Sequence, residues 1–129
     1  MDHINSTYKY VGTIAVGTAI HPFYKAPADA KGGGITITEA FAVSTTALAA
    51  GSAWNFELVT MSSGAQAALN GTVGTLAAGS AWTAGTVRSI TISDGWVDGG
   101  EYVGARLIGT AVNGDSHGLT VFFNAVMGR

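Results

Sequence analysis

The chain has 129 residues and a mass of 13.0 kDa, enough for one domain with a core of its own. Only 11% of positions are charged, against about 25% in an ordinary soluble protein, and a net charge of −2 leaves no basic footprint for nucleic acid. Cysteine is absent, which excludes a disulfide framework and a thiolate zinc site; the uncharged stretch 58–87 is broken too often by Gly, Ser, Thr, Asn and Gln to span a membrane.

Along the chain, Met1-Asp2-His3-Ile4-Asn5-Ser6-Thr7 is polar and has no basic run followed by an apolar one. It gives no support to secretion by a cleaved signal, so synthesis in a cytosol is expected. This segment reads as an arm, free in a monomer. Residues 1–19 are taken as the arm plus a first strand at 8–17, and 20–129 as a β-sandwich, one domain overall. Further strands are predicted at 20–25, 34–44, 53–61, 71–76, 86–93, 101–111 and 117–127. Each is rich in β-branched and aromatic residues and bounded by Gly, Asn, Asp or Ser. A helical turn is possible at 65–69. Pro22 and Pro27 bracket Phe23-Tyr24-Lys25-Ala26, which suits an edge strand.

Lys31-Gly32-Gly33-Gly34 has the flexibility of a phosphate loop but not its order, because the lysine precedes the glycines and no helix follows. It reads as a mobile connection into the strand at Ile35. There, strict alternation puts Ile35, Ile37, Phe41 and Val43 on one inward face, and Glu39 with them. A bulge that turns Glu39 outward is expected, rather than a buried carboxylate paired with Arg88 or Arg106.

One seven-residue segment occurs twice: Leu48-Ala49-Ala50-Gly51-Ser52-Ala53-Trp54 and Leu76-Ala77-Ala78-Gly79-Ser80-Ala81-Trp82. Gly-Ser breaks any helix just before the one large side chain, so each copy reads as a tight connection delivering a tryptophan to a strand. Trp54 and Trp82 are expected at comparable loop-to-strand junctions, largely buried, and with Trp96 they are the candidate structural aromatics.

Ile90 and Ile92 oppose Thr91, and Val103, Ala105 and Leu107 oppose Arg106, as in half-buried strands. Asp94-Gly95-Trp96-Val97-Asp98-Gly99-Gly100-Glu101 carries oxygens that suit calcium but lacks the spacing of a calcium loop. The structural reading is a glycine-rich loop in which Asp98 and Gly99 turn into a strand near Glu101. Asp115-Ser116-His117 holds the residue types of a hydrolase triad, yet consecutive residues on an extended chain point to alternate sides and cannot relay a proton. His3, His21 and His117 share no ligand spacing, and Lys9, Lys25, Lys31, Arg88, Arg106 and Arg129 are scattered. No catalytic residue, metal site or cofactor is expected.

In the last strand Leu119, Val121, Phe123 and Ala125 line one face, while Phe122 and Val126 stand on the other. Both faces need cover, from a loop of the same subunit or from a neighbour. Low charge favours the neighbour, and Phe122, Val126, Ile4 and Tyr8 are the candidate interface residues. A second possibility is a sugar-stacking platform drawn from Trp54, Trp82, Trp96, Tyr8, Tyr10, Tyr24 and Tyr102.

The succession Ile35-Thr36-Ile37-Thr38-Glu39-Ala40-Phe41-Ala42-Val43, Ala49-Ala50-Gly51-Ser52, Trp82-Thr83-Ala84-Gly85-Thr86-Val87 leading to Ile90-Thr91-Ile92, Asp98-Gly99-Gly100-Glu101-Tyr102-Val103 and Leu119-Thr120-Val121-Phe122-Phe123 resembles the small jelly-roll capsid decoration, or cement, proteins of tailed bacteriophages. The resemblance covers nearly all of the chain after Ile20. It implies an all-β, single-domain jelly-roll-like sandwich of about eight antiparallel strands. It also implies a non-enzymatic homotrimer on the outer capsid surface, bound to the major capsid protein and made in the host bacterial cytoplasm. The alternative is a carbohydrate- or receptor-binding jelly roll of a phage tail or fiber.

Overall fold

The computed structural model describes residues 3–9, 20–44, 54–64, 69–77, 83–109 and 119–128. They form nine strands: β1 (His3–Lys9), β2 (His21–Lys25), β3 (Gly34–Ser44), β4 (Trp54–Met61), β5 (Leu69–Ala77), β6 (Val87–Ile92), β7 (Trp96–Asp98), β8 (Tyr102–Gly109) and β9 (Leu119–Met127). Among the described residues the only helical element is a 3-10 turn at Lys31–Gly33.

The pairings are those of one long antiparallel ribbon folded on itself. Its two arms meet as β4 with β5, β3 with β6, β2 with β8 and β1 with β9. Rolling the ribbon up adds β3 against β9 and β4 against β8. Two sheets result, β1-β9-β3-β6 and β2-β8-β4-β5, and this wiring is a jelly roll. The sheets are joined at one corner by β6, whose first half pairs with β3 while Thr91 and Ile92 pair with Thr75 and Gly74 of β5. That crossing needs a glycine: a Cβ on Gly74 would lie 2.6 Å from the Thr91 carbonyl oxygen. β1 and β2 are left as the outermost strands of the path, so the proline-bracketed segment is an edge strand as expected.

Between the sheets lies a core of Ile35, Ile37, Ala40 and Ala42 from β3, Phe56 and Leu58 from β4, Val73 and Leu76 from β5, and Val121, Phe123 and Ala125 from β9. A second cluster sits on the opposite side of β4, where Val59 and Met61 are buried against Ile20 and the ring of Tyr102. Gly104 makes room for it, since a Cβ there would meet Met61 Sδ at 2.5 Å and Ile20 Cγ2 at 2.7 Å. Beside this cluster Arg106 and Glu57, opposite each other on β8 and β4, form an ion pair of 2.7 Å with 15% and 17% of their side chains exposed.

Several expectations change on contact with the structure. The first strand runs from His3 to Lys9 and pairs with β9 along its length, so the residues read as an arm lie within the sheet. Strand pairing, not apolar alternation, holds this polar segment. The Lys31–Gly33 turn is tied down by Gly33 N–H to Ala30 O (3.0 Å) and by Gly99 N–H to Gly33 O (2.8 Å), unlike the mobile connection expected. Trp96-Val97-Asp98, read as loop, is a short strand that pairs with Gly34, Ile35 and Thr36 of β3. Trp54 opens β4, whereas residues 48–53 and 78–82 of the two seven-residue copies, Trp82 among them, residues 10–17 of the expected first strand, residues 65–68 and Asp115-Ser116-His117 lie outside the described residues.

Candidate functional site

The bulge in β3 decides what the outer face of the β1-β9-β3-β6 sheet presents. Pairing with β9 slips between Ile37 and Glu39, so Thr38 is the extra residue. Without the slip, Glu39 would enter the core, where an unpaired carboxylate costs several kcal/mol. With it, Glu39 is exposed and accepts a hydrogen bond from Asn124 Nδ2 at 3.0 Å. Thr38 Oγ1 donates to the Asn124 carbonyl at 3.2 Å.

The same slip reverses every side chain after it. Ala40 and Ala42 turn inward, and Phe41 and Val43, expected inside by alternation, stand on the outer face, half-buried. Phe41 lies opposite Phe122 in the register and stacks on it, with ring centroids 5.2 Å apart and planes 26° from parallel. One row along, Val43 sits between Thr120 of β9 and Val87 of β6, and Val87 is 54% exposed. Val126 lies further down the same face, opposite Thr36, also half-buried. Apolar side chains from three strands thus share a face with the charged Glu39, while Arg88 of β6 lies opposite the inward-facing Ala42.

Of the residues read as interface candidates, Phe122 and Val126 fall on this face. Ile4 and Tyr8 of β1 pair with Ala125 and Val121, whose side chains are in the core, while Thr7 and His3 pair with Phe122 and Val126. Phe41, Val43 and Val87 were not read from the sequence as part of the patch; the conflict of Glu39 with the inward pattern was the signal that pointed to them. A cavity of about 340 Å³ opens beside Phe41 where β6 leaves β3 for β5, lined also by Glu39, Ser89, Ile90 and Ile92.

A second concave region follows the β2 edge. Pairing of β2 with β8 slips at Phe23, and a cavity of about 310 Å³ is lined by Pro22, Phe23, Tyr24, Lys25 and Tyr102. Phe23 and Tyr24 both rest on the buried ring of Phe123, at 6.2 Å and, edge to face, 5.3 Å. Burial raises the pKa of the Tyr24 phenol, which keeps it a neutral hydroxyl, and lowers that of the neighbouring His21 imidazole. Lys25 Nζ lies 5.4 Å from the centre of the Tyr102 ring.

The acidic segment is internally bonded. Asp94 Oδ1 accepts from the Trp96 N–H at 3.2 Å, and Asp98 Oδ1 from Trp96 Nε1 at 2.7 Å. The Glu101 carboxylate accepts from the Asp98 N–H at 2.9 Å and from the Asn70 side chain. Glu101 N–H closes a turn on the Asp98 carbonyl at 3.0 Å, with Gly100 at φ 89°, which is the turn expected there. Among the described residues no group of three or more His, Asp or Glu converges as metal ligands would.

Compared with known proteins, the chain matches no family model, no curated protein and no solved structure.

Proposed function

We propose that the chain is a non-enzymatic structural subunit of a virion, a decoration or cement protein that binds the assembled head of a tailed bacteriophage and ties major capsid subunits together. The observation that carries this reading is the outer face of the β1-β9-β3-β6 sheet, where the Phe41–Phe122 stack and the Val43–Val87 pair form an apolar surface on a chain with few charges. Apolar side chains grouped in this way mark contact surfaces. A sandwich closed at its β5–β6 corner is a rigid platform on which to carry one. The subunit acts as a homotrimer on the outside of the capsid, with no cofactor, nucleic acid or membrane among its partners.

The test is rebinding. Purified protein added to heads that lack it should bind them and raise their resistance to heat or osmotic shock. Failure to bind, with a monomeric mass in solution, rules the reading out. A second reading, a carbohydrate- or receptor-binding module of a tail or fiber, is favoured by one observation, the aromatic cleft along β2.

A further inference from the structure

The apolar outer face of the β1-β9-β3-β6 sheet carries one carboxylate, and a cavity lies beside it. Where β6 leaves β3 for β5, about 340 Å³ opens between Glu39 and Phe41 of β3 and Ser89 of β6. These three residues share the outer face. Phe41 lies opposite Ser89, and Glu39 stands two residues before Phe41 with its side chain exposed. Phe122 stacks on the Phe41 ring from the β9 side and is not among the cavity walls, so the cavity meets Phe41 from the β6 side.

The walls select a cation. Glu39 is the one acidic residue in β1, β9, β3 and β6. Its Oε2 accepts from Asn124 Nδ2 at 3.0 Å, and among the described residues no other donor engages the carboxylate. Thr38 and Ser89 add hydroxyl oxygens to the lining. The nearby cations are turned or placed elsewhere: Arg88 lies opposite the inward-facing Ala42, and Lys9 pairs with Thr120 at the far end of β9 from Asn124. An anion would be repelled by Glu39, and an apolar group would bury the carboxylate without compensation. A guanidinium satisfies both walls, because its edge forks to a carboxylate while its flat face lies on an aromatic ring; the compact, strongly hydrated ammonium of lysine does this less well.

We propose that the notch formed by Glu39, Phe41 and Ser89 seats an arginine side chain presented by the protein surface on which this face docks. The proposal rests on the reading of the face as a capsid contact and adds what that contact must contain.

The experiment measures cosedimentation of the purified full chain, as wild type and as Glu39→Gln, with heads that lack it. The heads are used untreated, with arginines blocked by phenylglyoxal, or with lysines acetylated. Glutamine keeps an acceptor for Asn124 and removes the charge, so the melting temperature should not change. On untreated heads the variant should bind about tenfold more weakly, the weight of a charge-assisted hydrogen bond. That gap should close on arginine-blocked heads, with wild type falling to the level of the variant, and persist on acetylated ones. Equal binding of untreated heads by both proteins overturns the proposal and leaves the contact face standing, whereas no binding by wild type removes the contact face and the proposal with it. A gap that survives arginine blocking or closes on acetylation assigns the notch to another group and overturns the proposal. So does a lower oligomeric mass for Glu39→Gln in the absence of heads, which would assign the notch to a second copy of this chain.

Discussion

The two sheets of this jelly roll treat their outer faces differently. On the β2-β8-β4-β5 sheet the chain closes the face itself: Ile20 covers Val59 and Met61, Gly104 lets them pack, and Glu57 and Arg106 neutralise each other alongside. On the β1-β9-β3-β6 sheet Phe41, Phe122, Val43 and Val126 remain half-buried and Val87 exposed. The first face is covered over β4 and β8, with Leu69 of β5 left 44% exposed opposite Met61, and the second retains the larger apolar surface, the Phe41–Phe122 stack with Val43, Val87 and Val126. The difference arises from single residues, a glycine that admits cover on one side and a glutamate that forces a bulge on the other.

Substitutions on the closed face should therefore act on stability. Met61→Ala should cost about 2 to 5 kcal/mol in denaturant unfolding, as for a long side chain removed from a packed core. A loss well under 1 kcal/mol would mean that the second cluster is not a core and that the two faces are alike. Next in size is the Glu57–Arg106 pair. Glu57→Ala leaves a largely buried guanidinium without its carboxylate and should cost about 1 to 3 kcal/mol, the range for charge-assisted hydrogen bonds.

On the open face the same kind of change should act on association. Phe122→Glu forfeits the stack on Phe41, worth about 0.5 to 1.5 kcal/mol beyond area burial, and should leave a folded subunit. In analytical ultracentrifugation the wild type should sediment as a closed oligomer, a trimer, and the variant as a smaller species. An unfolded Phe122→Glu monomer would place Phe122 in the subunit core and erase the contrast between the faces.

The smallest effect is pH-dependent. Burial lowers the His21 pKa below its ordinary value near 6.5, so the unfolded chain takes up a proton on acidification before the folded one does. Stability should fall as pH drops through the unfolded pKa toward the folded one and level off below both. His21→Gln should flatten that part of the melting-temperature profile. An unchanged slope would show that the imidazole is not desolvated at the β2 edge.

Much of this fold was legible because its strands obey local rules. The bounds of β3 coincide with the expected 34–44, and the opposite placement of Phe122 and Val126 to Val121, Phe123 and Ala125 follows from alternation alone. His3-Ile4-Asn5-Ser6-Thr7 was read as an arm because it has little apolar alternation and depends on β9 for its ladder, and of the expected strand at 8–17 only Tyr8 and Lys9 lie within the described residues. β7 was missed because three residues between glycines give no periodicity to read. The open patch was half visible. A period-two reading of β3 puts Phe41 inside, and only the register slip against β9 brings it to Phe122. The β2 cleft was less visible still, since Tyr24 and Tyr102 were noted as aromatics but nothing in the sequence joins β2 to β8.

Cosedimentation of purified protein with heads that lack it tests the open face most directly, comparing wild type with Phe122→Glu at a temperature where both are folded. The expected result is saturable binding by the wild type and little or none by the variant. Equal binding by both, or binding by neither, would contradict the assignment of the β1-β9-β3-β6 outer face as the capsid contact.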